Sequence, residues 1–389
     1  MSWIIPENKL DEQQRDFVDN VDINQRNVWI KGFPGSGKSV LLAYTIKKIK
    51  RNNPNASVIM VVFTHSLITM FEAAFKEMGV SVNVITYFDF MKSTRRYDYI
   101  LSDEVQDLTP SVLREMNNRG SHVVVAGDEH QSIYETAPRT NEETVSPSQI
   151  NSLLNSREFS LNIIHRLTRS IIDAVNKFLP DMNIFSARRD MSKQSTQVRI
   201  CNAEDSSEEV KYILKEGKEA VNNGYTVGVL IPTGKAIIAF VNRVLRQEGK
   251  PEWTESTNRW GAIDFADLNS HLRRHNVPMQ YVGNGTGDFK EDSRKISVMT
   301  YHSAKGLDFD NVFIPNLNRS FFITYNEQRS KTLFMVAMTR SRNNLYLTYS
   351  GSKHEYLSKF SSDCHAINIH DYLNQQAAPI RGGGIFGGI

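Results

Sequence analysis

A chain of 389 residues, 40% hydrophobic and 23% charged, is long enough for two domains with cores of their own; its net charge of +3 neither demands nor forbids a polyanionic partner. Its two cysteines, Cys201 and Cys364, lie far apart, which argues against a disulfide framework, and no cysteine–histidine cluster suggests structural zinc. The start lacks a basic segment followed by a long apolar one, and the longest apolar run, residues 58–63, is too short to cross a bilayer, so a cytoplasmic setting is expected.

In chain order, residues 12–20 read as a helix and residues 28–30 as a short apolar strand. Gly32-Phe33-Pro34-Gly35-Ser36-Gly37-Lys38-Ser39 follows and satisfies G-x-x-x-x-G-K-[ST] at every fixed position. In such a loop the glycines let successive backbone N–H groups turn inward on an anion. Lys38 adds charge for the β- and γ-phosphates, and Ser39 offers a hydroxyl to Mg²⁺. Helices are expected at 39–51, 66–78 and 109–118, the last capped by Thr109 with Pro110 in its first turn. Strands are expected at 58–63, 82–85, 99–102 and 123–126, apolar on both faces as in a parallel sheet covered by helices.

A second series of the same kind begins near residue 161. It has helices at 168–179, 206–223, 235–247 and 328–340, and strands at 197–201, 226–231, 296–300, 311–314 and 345–348. The fold expected is therefore α/β, with two tandem domains at 1–158 and 159–375, each a parallel sheet flanked by helices. Residues 246–294 read as a short irregular insertion within the second domain, and 376–389 as a flexible Gly-rich tail.

The strand before Asp103-Glu104 delivers two carboxylates to its carboxyl end. In a phosphate-loop enzyme Asp103 would hold Mg²⁺ through water, and Glu104 would orient or deprotonate the attacking water. After the strand at 123–126, Gln131 is placed to hydrogen-bond the γ-phosphate or that water.

The ordered set resembles the superfamily 1 helicases of the UvrD/Rep/PcrA type, whose domains are RecA-like. Leu10-Asp11-Glu12-Gln13-Gln14-Arg15 is similar to the Q motif, with Gln14 as adenine reader, and the glycine loop to motif I. Phe63-Thr64-His65 is similar to motif Ia, Asp103-Glu104-Val105-Gln106-Asp107 to motif II, and residues 127–134 to motif III. Asn162-Ile163-Ile164-His165-Arg166 resembles motif IV. Thr300-Tyr301-His302-Ser303-Ala304-Lys305-Gly306-Leu307-Asp308-Phe309 resembles motif V, and Val336-Ala337-Met338-Thr339-Arg340-Ser341-Arg342 motif VI.

The resemblance implies an ATP hydrolase acting as a DNA helicase or translocase, with ATP and Mg²⁺ as its nucleotide and metal and 3′→5′ movement on single-stranded DNA. It implies that Arg166 and Arg340 reach the γ-phosphate from the second domain. Gln14, Gly35, Ser36, Gly37, Lys38, Ser39, His165, Gly306 and Asp308 would bind nucleotide, and Ser39 and Asp103 the metal. Phe63, Thr64, Tyr87, Thr300 and His302 would contact the strand. No residue can be tied to a 2′-hydroxyl, so RNA stays open beside DNA.

This sequence departs from the family pattern in places. Only residues 87–102 separate Thr86 from Asp103, and 246–294 is short, so the usual accessory domains are expected to be largely missing. Thr136 stands where the family has a stacking tryptophan, His165 where a tyrosine packs on adenine, and Pro232 where an arginine is common. A stripped core also suits a second role: a DNA-sensing ATPase subunit that gates a partner nuclease, as in phage-defence assemblies, with little unwinding of its own.

Overall fold

The computed structural model describes residues 4–377, apart from 129–131, 135, 138–140, 181–187, 190–195, 197, 284 and 288–293. The glycine-rich residues 378–389 therefore lie outside the described residues.

The first lobe is built on β1 (Val28–Gly32), β2 (Val58–Val62), β3 (Asn83–Thr86), β4 (Tyr97–Ser102), β5 (Gly120–Gly127) and β6 (Arg157–Leu161). They form one sheet in the order β3-β2-β4-β5-β1-β6, and every pairing is parallel. Its helices are α1 (Glu12–Asn20), α2 (Lys38–Asn52), α3 (His65–Glu77), α4 (Tyr87–Lys92), α5 (Pro110–Arg119) and α6 (Pro147–Leu154).

The all-apolar β2 shows why the sheet must be covered twice. Val58, Met60 and Val62 pack with Leu41 and Phe71 on one face, while Ile59 and Val61 pack with Phe90, Leu113 and Leu154 on the other. The α5 cap forms as its sequence dictates: Thr109 Oγ1 accepts the Val112 N–H, with Pro110 in the first turn.

A short ribbon of β7 (Ile163–Ile164) and β8 (Arg188–Arg189) follows β6. The expected boundary near residue 158 falls inside β6, which pairs with β1 from Val28–Arg157 to Gly32–Leu161. The first sheet thus ends at Leu161. This edge strand alternates in burial, so it lacks the continuous apolar run that marks the inner strands.

The second lobe holds seven parallel strands: β9 (Arg199–Ala203), β10 (Val227–Ile231), β11 (Met279–Tyr281), β12 (Ile296–Thr300), β13 (Phe309–Ile314), β14 (Ser341–Ser350) and β15 (His365–Asn368). Their order is β11-β12-β10-β13-β14-β9-β15. The flanking helices are α7 (Arg169–Phe178), α8 (Ser206–Asn222), α9 (Gly234–Gln247), α10 (Phe265–Arg274), α11 (Glu327–Met338), α12 (Glu355–Ser358) and α13 (Ile369–Ala377). Val227, Val229 and Ile231 pack with Ile213, Ile237 and Val241, while Leu230 belongs to the opposite core with Ile171, Leu333 and Phe334.

The segment 246–294, expected to be an irregular insertion, is a structural part of this lobe. It supplies α10 and the edge strand β11, and Phe265, Leu268, Leu272 and Tyr281 belong to the second-lobe core. Trp253 is 4% exposed; its indole N–H donates to Asp267 Oδ2 at 2.9 Å and its backbone N–H to Asn242 Oδ1 at 2.9 Å. Polar and glycine residues dilute the periodicity here, yet Trp253, Phe265, Leu268, Leu272 and Tyr281 turn inward while Trp260 stays exposed. Trp253→Ala should therefore lower unfolding free energy by about 3 kcal/mol, a core value. Chemical denaturation reads this, and a change within 0.5 kcal/mol, the range of surface sites, would contradict it.

Candidate functional site

The lobes meet over a cavity of about 310 Å³. From the first lobe it is lined by Gln14, Gly35, Gly37, Lys38, Ser39, Asp103 and Glu104; from the second by His165, Arg166, Gly306, Asp308, Arg340 and Arg342. Nearly every nucleotide-site residue expected from the sequence is thus brought to one place. Ser36 lies just behind it, 1% exposed. Gln131 lies outside the described residues.

The loop between β1 and α2 is shaped by two glycines. Gly35 and Gly37 sit at φ 76° and 92°, in the left-handed region. A Cβ on Gly35 would collide with the Cβ of Arg166, and one on Gly37 with the carboxamide of Gln14. The Gly35 carbonyl also accepts the backbone N–H groups of His165 (3.0 Å) and Arg166 (3.3 Å), so the second lobe is clipped onto the loop. No side chain caps the start of α2, which leaves its first N–H groups directed at the cavity, a ready anion site. Lys38 Nζ donates to the carbonyls of Gly32 (2.7 Å) and Phe33 (3.1 Å). Burial pushes its ammonium below the ordinary value, while Asp128, Glu104 and Asp103 pull it back up.

Ser39 Oγ donates to Asp103 Oδ2 at 2.5 Å. Burial raises the Asp103 carboxyl above its ordinary value, and the adjacent Glu104 charge adds to the rise. Glu104 moves the other way. Burial alone would raise it, but Lys305 and Lys38, with a hydrogen bond from Gln106 Nε2 at 2.5 Å, hold it low and ionised. Glu104 adopts φ 55°, ψ 42°, a backbone state rare for a residue with a side chain and common at working sites.

Gln14 is 1% exposed and fastened at both ends of its amide: Oε1 accepts the Asp11 N–H (3.2 Å) and Nε2 donates to the Ser36 carbonyl (3.0 Å). His165 Nε2 hydrogen-bonds Asp11 Oδ2, tying the start of the second lobe to α1. Arg166 Nε lies 2.7 Å from Asp308 Oδ2, and Arg342 takes the other Asp308 oxygen. Burial alone would raise Asp308, and these two guanidiniums hold it low. Arg340, just beyond α11, is 2% exposed; Nε donates to the Val336 carbonyl at 3.0 Å. Burial and the nearby Arg166 charge lower its guanidinium to about 10.

Several working residues carried no assigned role in the sequence reading. Lys305 is 2% exposed and reaches from the second lobe to Asp107, with Glu104 Oε2 at 3.6 Å. Gln106 links Glu104 to the Asp128 N–H (3.1 Å), and Asp11 serves both Gln14 and His165. All lie inside recognised motifs, so a signal was present; their pairings span up to 198 residues of sequence and leave no local trace.

Three of the expected strand-contacting residues, Phe63, Tyr87 and His302, gather with Tyr134 in a second row between the lobes. Phe63 and Tyr87 stack at 5.1 Å and 12°, Tyr134 lies 4.8 Å from Phe63, and His302 lies 5.4 Å from Tyr134. Phe63 and Tyr87 are 8% and 7% exposed, so their faces are covered by neighbouring rings rather than open to a base. Burial lowers His302 to about 4, so it is a neutral imidazole at physiological pH. Thr300 Oγ1 donates to Ser303 Oγ at 2.9 Å. Thr64 Oγ1 is buried with no hydrogen-bond partner among the described residues.

Lys305 and Asp107 are a buried pair split between lobes. Burial pushes Asp107 up to about 6 against the pull of Lys305, so losing the ammonium strands a costly carboxylate. Lys305→Met should destabilise the protein by about 3 kcal/mol, and adding Asp107→Asn should return part of that. Denaturation of both variants reads this; an unaffected Lys305→Met would show that the pair holds nothing. Asp103 gives a pH signature. A carboxyl raised on folding favours the fold when protonated, so this stability is lost as pH rises through the folded value. Asp103→Asn should therefore be more stable than the parent at neutral pH. The advantage should fade as pH falls toward the ordinary 3.8, and a flat difference would refute it.

Residues 14–137 match the AAA domain family, and residues 275–352 match the UvrD-like helicase C-terminal domain. The chain is 29% identical over 137 residues to a probable DNA helicase II homolog of Mycoplasma capricolum, covering 33% of this chain and 18% of that protein. It is 34% identical over 71 residues to the ATP-dependent DNA helicase Rep of Buchnera aphidicola, covering 17% and 11%. A protein of Acanthamoeba polyphaga mimivirus described as an ATP-dependent DNA helicase aligns over 328 residues at 24% identity, covering 76% and 40%. The chain thus spans less than half the length of each of these curated relatives. With one match holding the loop and acids and the other holding motifs V and VI of the facing lobe, the chain belongs to the superfamily 1 helicases of the UvrD/Rep type.

Proposed function

We propose that the protein hydrolyses ATP with Mg²⁺ and uses the resulting opening and closing of its lobes to move 3′→5′ along single-stranded DNA. The observation that carries this reading is the shared cavity: the loop and acids lie on one side and Arg166 and Arg340 on the other. A triphosphate bridging the two halves draws the lobes together, and its loss releases them. The direction rests on the resemblance of motifs III and V to the 3′→5′ branch.

The donor set fits Mg²⁺, because the Ser39 hydroxyl and Asp103 carboxylate are hard oxygens in mutual contact. Ser39 and Asp103 would hold the ion, which when bound would neutralise charge on the phosphates. Backbone N–H groups at the start of α2, with Lys38, bind the phosphates. Glu104, held ionised, orients the attacking water and accepts its proton. Arg340 and Arg166 stabilise the charge that develops on the transferring phosphoryl group. After its two internal hydrogen bonds Gln14 retains one N–H and one lone pair, the combination that pairs with adenine N7 and N6.

One observation favours the second reading, a DNA-sensing ATPase that gates a partner nuclease. The connection from β3 to β4 carries α4 alone among its secondary-structure elements, which offers little surface to grip a duplex.

Glu104→Gln should lower DNA-stimulated ATP turnover about a hundredfold or more while nucleotide still binds. Arg340→Ala should lower it by about a thousandfold. Lys38→Ala should abolish turnover. Phosphate release with and without single-stranded DNA is the measurement, and normal hydrolysis by Glu104→Gln would remove it as the water-activating group. Turnover that never displaces a protein block from the strand would favour the gate over the motor.

A further inference from the structure

The connection between β13 and α11 presents two exposed aromatic side chains a few residues before the helix. Tyr325 is 97% exposed and Phe322 52%, and their rings meet edge to face at 5.0 Å. Large rings left in water on a fixed loop invite a planar partner.

The loop holding them is fastened from several directions. Asn318 Oδ1 accepts from Ser320 N–H (3.0 Å) and Oγ (2.7 Å), and Arg319 N–H donates to the Ser352 carbonyl at 3.0 Å. Between the two exposed rings and this turn, Phe321 points inward against Phe334 and His354. Ser330 Oγ of α11 donates to the Thr324 carbonyl (2.9 Å) and accepts the Thr324 N–H (3.2 Å). The exposed pair is therefore preorganised, which lowers the entropy lost when something stacks on it.

The surroundings are basic. Arg319 is exposed beside the pair, while the acid at the head of α11, Glu327, is taken up by Lys331. Arg329, in the first turn of α11, acts electrostatically on both Tyr134 and His302, so it links this loop to the aromatic row of the cleft. Its Nε is buried and has no hydrogen-bond partner among the described residues. A guanidinium nitrogen without an acceptor, a few residues from the exposed rings in sequence and close enough to act on Tyr134 and His302, suits a backbone phosphate.

We propose that Phe322 and Tyr325 are a stacking platform for bases of a single DNA strand leaving the cleft, with Arg329 and Arg319 holding the intervening phosphates. The proposal rests on the strand-binding part of the proposed function. It adds a second-lobe base site where Thr136 replaces the stacking tryptophan expected in the first.

The test is binding of fluorescent oligodeoxythymidine of about six and about twelve nucleotides to the full chain, a range in which strand grooves differ in occupancy. Phe322→Ala with Tyr325→Ala should weaken the longer oligonucleotide about tenfold, the scale of one lost base stack, and leave the shorter one and DNA-free ATP turnover unchanged. Tyr325→Phe, which keeps the ring, should bind as the parent does, and an unchanged thermal midpoint excludes misfolding. A parent that binds the strand while the double variant binds both lengths equally well overturns the platform alone. A parent that binds neither length overturns the strand reading as well. Retained strand binding with loss of a protein contact would overturn it in favour of a protein-docking role.

Discussion

The relation between the lobes depends on Lys305. Its ammonium leaves the second lobe and ends, almost wholly buried, against Asp107 and Glu104 of the first. Removing three charges from water is costly, several kcal/mol per ion, and their mutual attraction offsets this only while the geometry is tight and dry. A slightly opened cleft admits water, weakens the attraction and also relieves the desolvation. Intermediate separations therefore gain little, and the lobes favour either a closed contact or a clear break. The Gly35 carbonyl clipped by His165 and Arg166, and Gly306 packed on Leu67, close against the same seam.

The charges inside the cavity form two opposed fields. Arg166, Arg340 and Arg342 surround one carboxylate, Asp308, and burial with the Arg166 charge already depresses Arg340. A polyanion placed between them relieves that repulsion. On the facing wall Asp103 and Glu104 repel the same polyanion unless a divalent cation intervenes. In the proposed reading, this distribution of charge would favour a phosphate chain together with a divalent cation over either one separately.

Legibility in the sequence followed the range of the interactions. The glycine loop was readable because the demand for left-handed φ and open N–H groups is local to Gly35 and Gly37. The inner strands were readable because burial on two faces leaves runs such as residues 58–62 without a polar residue. By contrast β6, wet on one side, and β15, largely exposed, carry no such run. Trp253 and β11 were read as irregular because their neighbours are glycine, asparagine and charge, although their own side chains complete a core assembled from α9 and α10. The pairing of Lys305 with Asp107 joins distant parts of the chain, so only the folded lobes reveal it. Phe63 and Tyr87, expected to contact the strand, stack on each other in the fold, a pairing of distant residues that no local pattern announces.

In the proposed motor, the segment from Thr300 to Asp308 joins the ring row to the nucleotide cavity. It leaves the end of β12, places His302 against Tyr134 in the aromatic row, sends Lys305 across to Asp107, and reaches the nucleotide cavity at Gly306 and Asp308. The first lobe has a counterpart: β2 leads to Phe63 in the row, and α3 then carries Met70 to the cavity wall. Each lobe therefore links ring row and phosphate site through a short, packed stretch of backbone with little room to bend. A phosphate that draws Arg166 from Asp308 changes the load on a segment whose other end touches the ring row. In the proposed motor, that shared segment converts the state of the nucleotide into the position of the strand, and no separate lever is required.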